Sequence, residues 1–247
     1  MYIYNINTTD NNTNDIDTIF NESESISIDL IKKLNLSCLT SNNDKIDFAE
    51  HSTPSELLII MMNHIDNSCF INRFKFLDYS CGKGNIILII FYYYYLNIKE
   101  IINDKIKLCE TLCENIYYAD INIENIYLTT YKLNKLCQLI CDDSDLNFNF
   151  NYFIGNSLTL NISNIWDISG FDIIFVNPPF EDRNNRKKTP HKLWIDFTLK
   201  TFKDWLKPDG YLYQISPESF SSPSSKILKL FREKDVKQLH FNQSDYF

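Results

Sequence analysis

Four consecutive residues, Asn177-Pro178-Pro179-Phe180, close the apolar run "FDIIFV" that begins at Phe171. Prolines cannot donate to a sheet ladder, so they stop a strand and set a rigid turn. That turn holds the Asn177 amide and the Pro178 carbonyl at the strand end as two acceptors, and Phe180 offers a face for a flat ring. Two acceptors on one exocyclic NH2 group draw electron density toward a nitrogen whose lone pair is otherwise delocalised into its ring. The amine can then attack an electrophilic methyl without a strong general base. A plain strand terminator accounts for the prolines but leaves the Asn and the Phe unexplained.

A second constellation is Asp78-Tyr79-Ser80-Cys81-Gly82-Lys83-Gly84. Glycines after a strand let backbone approach a ligand, and the helix N-terminus beyond them adds positive potential. Gly-x-Gly alone equally suits a tight strand-to-helix turn. The preceding carboxylate repels a pyrophosphate but suits the ammonium group of an amino-acid ligand. About 40 residues on, Asp120 closes another short strand, where an acid can accept both hydroxyls of a ribose; a solvated loop Asp is the alternative.

Charge is distributed unevenly around these motifs. The chain carries a formal charge of -8, yet residues 1–182 sum to -14 and residues 183–247 to +6. Arg183, Arg186, Lys187, Lys188 and Lys192 fall within ten residues just beyond Phe180. A local basic surface binds phosphates even on an acidic chain. The competing reading is a solvated charged loop.

The elements that must position these residues follow from pattern. "STPSELLIIMMNHI" predicts a helix with Thr53 as N-cap, Pro54 in the first turn and Glu56 completing a capping box. Short strands are predicted to end near Asp78, Asp120, Gly155 and Asn177, with helices from Asn85 and over Glu124–Cys137 between them. "LWIDFTLKTFKDWL" reads as a helix, Tyr211–Ser216 as a strand, "SPSSKILKLFREK" as a helix and "VKQLHFN" as a last strand. Alternating strands and helices indicate an α/β fold with a mostly parallel sheet. Ligands of such sheets sit beyond the carboxyl ends of the strands, where every unusual polar residue above is placed.

At 247 residues with 44% hydrophobic content, the chain suffices for one large domain. Residues 1–44, rich in Asn, Asp, Ser and Thr, read as a polar low-complexity tail or loosely packed appendage, with one weak helical pattern from Ile26 to Leu36; residues 45–247 form the domain proper. Seven cysteines with no signal peptide suggest reduced thiols in an intracellular, cytoplasmic setting. Cys109/Cys113 and Cys137/Cys141 repeat a C-x3-C spacing, which suits buried helix faces better than zinc, so no metal is expected. The longest apolar run, Ile86–Leu96, is too short to span a bilayer.

Together these segments resemble the class I S-adenosylmethionine-dependent methyltransferases, and within them the enzymes acting on adenine N6 in DNA, in the gamma motif order. "STPSELL" looks like that family's Thr-Pro helix, "FLDYSCGKGN" is similar to its Phe-Leu-Asp-Pro-Ala-Cys-Gly-Ser-Gly, and "NPPF" to its Asn/Asp-Pro-Pro-Tyr/Phe. "HKLWIDFTLKTFKDWLKPDGYLYQISPESF" is similar to the segment that follows in phage and type II modification methylases. The resemblance covers about residues 47–247. It implies a Rossmann-like, doubly wound, mostly parallel seven-stranded sheet with helices on both faces. It places cofactor contacts on Thr53, Asp78, Ser80, Cys81, Gly82, Gly84, Asp120 and Asn156, and catalysis on Asn177, Pro178, Pro179 and Phe180. The implied cofactor is S-adenosylmethionine. DNA is the implied partner, its phosphates held by the basic segment while a flipped base enters.

Three positions depart from the family pattern: Tyr79 and Lys83 in the first motif, and Asn156 where Asp is common. Family members also continue into a target-recognition domain, and nothing of that size follows Phe247. The expectation is therefore single-stranded or distorted substrate, or a separate specificity subunit. Methylation of an exocyclic amine in RNA, of glutamine in release factors, and a non-catalytic nucleic-acid-binding role stand as alternatives.

Overall fold

The computed structural model describes residues 11–37, 53–181, 192–223 and 225–236. Five strands form one parallel sheet in the order β3-β2-β1-β4-β5. These are β1 (Phe76–Asp78), β2 (Ile116–Asp120), β3 (Asn151–Ile154), β4 (Phe171–Val176) and β5 (Leu206–Gln214). Phe76 lies opposite Ile116 on one side and Ile173 on the other, so β1 and β4 flank the point where the strand order reverses. A crevice opens beyond the carboxyl ends of such a pair. Five strands rather than seven are found among the described residues. The run expected as a last strand falls on residues 236–242, all but Val236 outside them.

Side chains alternate across the strands and feed two separate cores. Phe76, Ile116, Tyr118, Ile173 and Phe175 join one apolar cluster, while Leu77, Tyr117, Ala119, Ile174 and Val176 join the other. The period of two explains the division. One irregularity has a local cause: the Asp172 and Ile173 amides both donate to the Lys75 carbonyl at 3.1 Å, a bulge that puts Phe171 in the same cluster as Ile174.

The first core is covered by helices α1 (Asn11–Asn21), α2 (Ile28–Leu36), α3 (Ser55–Met62), α4 (Asn67–Ile71), α5 (Asn85–Ile98), α6 (Lys105–Asn115) and α7 (Ile123–Cys141). Helix α5 touches α2, α3, α4, α6 and α7 as well as β1 and β2. Its first two turns, residues 85–91, are buried on every side and so are apolar all round after Asn85, while the Tyr-rich second half is partly exposed. The second core is closed by α8 (Ile162–Trp166), by α9 (Leu193–Lys200) with a π-turn over Thr201–Trp205, and by the buried Phe197 and Trp205 they contribute. Helix α10 (Lys226–Arg232) packs on α9 and is capped by Ser225.

Residues 11–37 are packed, in contrast to the loose appendage read from their composition. Ile16, Leu30, Ile31 and Leu34 are buried in the first core. Lys135 of α7 pairs with Asp17 at 3.0 Å. Polar residues dominate the count here, but the few apolar ones recur at helical spacing, and that periodicity decides burial.

The two C-x3-C pairs meet where α6 packs on α7: Cys109, Cys113 and Cys137 are buried, and the Cys109 and Cys141 sulfurs lie 3.8 Å apart. Among the described residues no group of three or more His, Cys, Asp or Glu is placed to hold a metal. No helix among them is long and apolar enough to cross a membrane.

Candidate active site

The β1–α5 loop is the centre of the site, and it is tied down from several directions. Gly82 and Gly84 take left-handed φ values of 51° and 91°, which let the chain turn sharply from the sheet into α5. A Cβ on Gly84 would stand 2.7 Å from Thr129 Oγ1, so α7 leaves room for nothing larger than hydrogen. The same helix holds the loop carbonyls. Thr129 Oγ1 donates to Gly82 O at 3.3 Å, and the fully buried Lys132 donates through Nζ to Lys83 O at 2.8 Å. From the second strand, the Ala119 carbonyl accepts the Cys81 amide at 3.0 Å and Asp120 Oδ2 accepts the Gly82 amide at 2.8 Å.

Two carboxylates lie at the base of this loop. Asp78 is fully buried; its Oδ1 accepts the Ser80 amide at 3.0 Å, and its Oδ2 has no hydrogen-bond partner among the described residues. Burial pushes its pKa well above the ordinary value of 3.8; the Ser80 amide opposes this shift and the Asp120 charge adds to it. Asp120 is nearly buried, and burial raises its pKa too, against the donors that stabilise the anion: the amides of Asn122 and Gly82 and the side chain of Asn125. A buried acceptor left unmatched is costly. Two adjacent acids, one carrying an orphaned oxygen, form an environment that a cationic ligand group relieves. This donor set fits the ammonium end of an amino-acid-bearing cofactor.

Asn177 follows β4 directly and meets the loop. Ser80 Oγ donates to the Asn177 carbonyl at 3.2 Å, and Asn177 Nδ2 donates to Thr53 Oγ1 at 3.1 Å. Thr53 thus differs from its expected role as a helix cap. Helix α3 begins one residue later, with Pro54 in the cap position and no side-chain cap, and the Thr53 hydroxyl serves Asn177 instead. Pro178 is buried, while Asn177, Pro179 and Phe180 are half-buried.

Thr53, Ser80 and Asn177 are therefore brought together by direct bonds, and Asp78, Gly82 and Asp120 by the loop they share. Gly84 backs onto α7, and Cys81 is buried with its Sγ 3.4 Å from Gly82 O. Asn156 sits at the exposed end of β3, where its Oδ1 caps the 3-10 turn Ser157–Thr159 through the Leu158 amide. Lys192 is exposed just before α9, whereas Arg183, Arg186, Lys187 and Lys188 lie outside the described residues. Of the departures from the family pattern, Tyr79 turns into the second core and stacks on Phe197 with ring centroids 5.0 Å apart. Its carbonyl accepts Ser157 Oγ at 2.7 Å. Lys83 contributes the carbonyl that Lys132 holds. Sequence reasoning missed Thr129, Lys132 and Ser157, because a Thr and a Lys three positions apart on an amphipathic helix look like ordinary surface.

No protein-family model matches the chain, and no curated protein matches it. Solved structures do. A modification subunit assigned to a type I restriction enzyme from Vibrio vulnificus YJ016 superposes with a TM-score of 0.53 at 18% identity, over 84% of this chain and 43% of that one. A protein assigned as a class I S-adenosylmethionine-dependent methyltransferase from Listeria monocytogenes gives 0.52 at 14% identity, over 85% and 61%. The DrdV–DNA complex gives 0.51 at 15%, over 78% and 23%. This chain has the methyltransferase fold. It spans less than two thirds of the length of each of these proteins.

Proposed function

We propose that the chain is an S-adenosylmethionine-dependent methyltransferase acting on the exocyclic N6 amine of adenine in DNA. The observation that carries this reading is the pairing of Asn177 with Ser80 and Thr53, which sets an acceptor-and-stack turn against a loop built around an orphaned buried carboxylate.

Asp78 Oδ2 would receive the cofactor's ammonium group, and Asp120 would hold the ribose while its Oδ2 keeps the Gly82 amide in place. Ser80, Cys81, Gly82 and Gly84 would shape the loop side of the pocket, Thr53 would serve it through Asn177, and Asn156 would hold the cofactor's adenine. Bound there, the cofactor supplies an electrophilic methyl on a sulfonium. Asn177 Oδ1 and the Pro178 carbonyl accept the two N–H bonds of the target amine, pulling density onto its nitrogen. Phe180 stacks on the base, and Pro179 keeps the turn rigid. The nitrogen lone pair would form the new N–C bond as the methyl left the sulfonium sulfur, and the extra proton would pass from nitrogen to the Asn177 and Pro178 acceptors and on to solvent. Hydrogen-bond acceptors placed where positive charge develops supply the main stabilisation.

Arg183, Arg186, Lys187, Lys188 and Lys192 contact phosphates while the base is flipped out. Single-stranded or distorted DNA is the preferred substrate because flipping costs less there, and a separate specificity subunit is a natural partner.

The test is to incubate the protein with methyl-tritiated S-adenosylmethionine and DNA or RNA in separate reactions, then analyse the nucleosides by mass spectrometry. N6-methyladenine from DNA is expected. Methylated nucleosides from RNA alone would move the substrate to RNA. Cofactor bound normally with no methyl in either nucleic acid would sink the enzyme reading in favour of a binding subunit.

A further inference from the structure

A string of buried polar side chains runs from helix α2 to Asn177, and the catalytic reading does not use it. Asn35, near the end of α2, donates through Nδ2 to Ser55 Oγ at 3.2 Å and to the Asn85 carbonyl at 3.5 Å. Asn85, the first residue of α5, donates through its own Nδ2 to the Thr53 carbonyl at 3.3 Å. Thr53 then accepts Asn177 Nδ2 at its hydroxyl. Asn35, Thr53, Ser55 and Asn85 are each at most 9% exposed. Oδ1 of Asn35 and Oδ1 of Asn85 are buried with no hydrogen-bond partner among the described residues. Unmatched acceptors cost stability that an apolar side chain at either position would not.

We propose that Thr53 is the positioning residue of Asn177, held in register by Asn85 and Asn35, so that helix α2 is a strut of the active site. The assignment rests on the methyltransferase reading for its consequence but on the hydrogen bonds alone for its geometry. An asparagine amide has two unlike ends, and rotating it by half a turn swaps an acceptor for a donor. A hydroxyl can serve either end; in the structure it accepts Nδ2, which turns Oδ1 to the side away from Thr53. An amine substrate needs an acceptor there, and a donor in its place would repel it. Thr53 is fixed in turn from its own carbonyl, because Asn85 stands at the rigid start of α5 and Asn35 grips that turn from α2. Thr53 therefore affects the chemical step through Asn177 rather than by touching the substrate.

The test compares Thr53→Val, which keeps the shape and removes the acceptor, with Thr53→Ser, which keeps the hydroxyl. Cofactor affinity is read by calorimetry and single-turnover methyl transfer at saturating cofactor. Thr53→Val is expected to slow transfer by about tenfold to a hundredfold, the scale of a misoriented catalytic group, with cofactor affinity within about threefold. Thr53→Ser should recover most of the lost rate. Asn35→Ala should lower the rate with the same split. A Thr53→Val enzyme that loses cofactor affinity but transfers normally when saturated would overturn the proposal and make Thr53 a cofactor contact. Wild-type rate in Asn35→Ala would overturn the strut role of α2.

A second readout does not depend on turnover. The side-chain NH2 resonance of Asn177, identified by its loss in Asn177→Ala, should exchange slowly with solvent in the wild type and rapidly in Thr53→Val. Equal exchange in the two would overturn the proposal whether or not the protein methylates anything. An inactive wild type with this exchange difference intact would instead count against the methyltransferase reading alone.

Discussion

The Gly82 amide donates to Asp120 Oδ2 at 2.8 Å across 38 positions of chain, locking the loop after the first strand to the end of the second. One oxygen of the acid proposed to hold the ribose is therefore also a structural acceptor for the loop proposed to hold the amino-acid end. The two halves of the proposed pocket are mechanically one piece.

Replacing Asp120 by Ala should consequently do more than remove a ligand contact. The Gly82 and Asn122 amides both lose their acceptor. A loss of about 1–3 kcal/mol of stability is expected for the stranded donors, together with at least tenfold weaker cofactor binding. Denaturant titration and calorimetry on the same variant check both parts. Weak binding at unchanged stability would show that the loop keeps its shape without this tie.

Asp78 makes stability and ligand affinity depend on pH in opposite senses. Its folded pKa is raised above the ordinary 3.8, so between those two values the folded state holds more protons than the unfolded state. Stability without ligand should fall as pH rises from about 4 through the raised pKa. A cationic ligand group prefers the ionised carboxylate, so cofactor affinity should climb over the same window and binding should release protons. Calorimetry in buffers of different ionisation enthalpy measures that release, and Asp78→Asn should remove it.

Gly84→Ala is expected to be severe for a backbone reason. Its φ of 91° is disfavoured for any side chain, and the added methyl would meet Thr129 at 2.7 Å. The combined cost is about 2–4 kcal/mol. In a Thr129→Ala background, which removes both the Oγ1 and the Cγ2 that the methyl would meet, Gly84→Ala should keep only its backbone cost, which thermal melting of the single and double variants would show.

Asn177→Ala should abolish methyl transfer, by at least about a thousandfold, while cofactor affinity stays within a few fold. Equilibrium binding and single-turnover assays separate the two quantities. A comparable loss of affinity would mean that Asn177 shapes the cofactor pocket and not the amine site.

Much of this was legible in the chain. The strand ends at Asp78, Asp120 and Asn177 emerged from short apolar runs broken by Gly, Pro and Asp, within a residue of where the structure has them. The start of α5 at Asn85 followed from the glycines before it. The register of β5 was harder. It begins at Leu206 rather than Tyr211, because Pro208-Asp209-Gly210 reads locally as a turn but is carried along the edge of β4. The N-terminal segment was misjudged since composition averages over a helix, whereas burial depends on one face of it.

By itself, the sequence determined the order of strands and helices, the rigid Asn-Pro-Pro-Phe turn and the glycine loop, because these depend on backbone constraints set by neighbouring residues. Tertiary structure alone decided what Thr53 does, which oxygen of Asp78 is left without a donor, and that a fully buried lysine backs the loop. Those outcomes depend on groups far apart in the chain competing for the same few hydrogen bonds in a space that excludes water, and no local pattern records which of them wins.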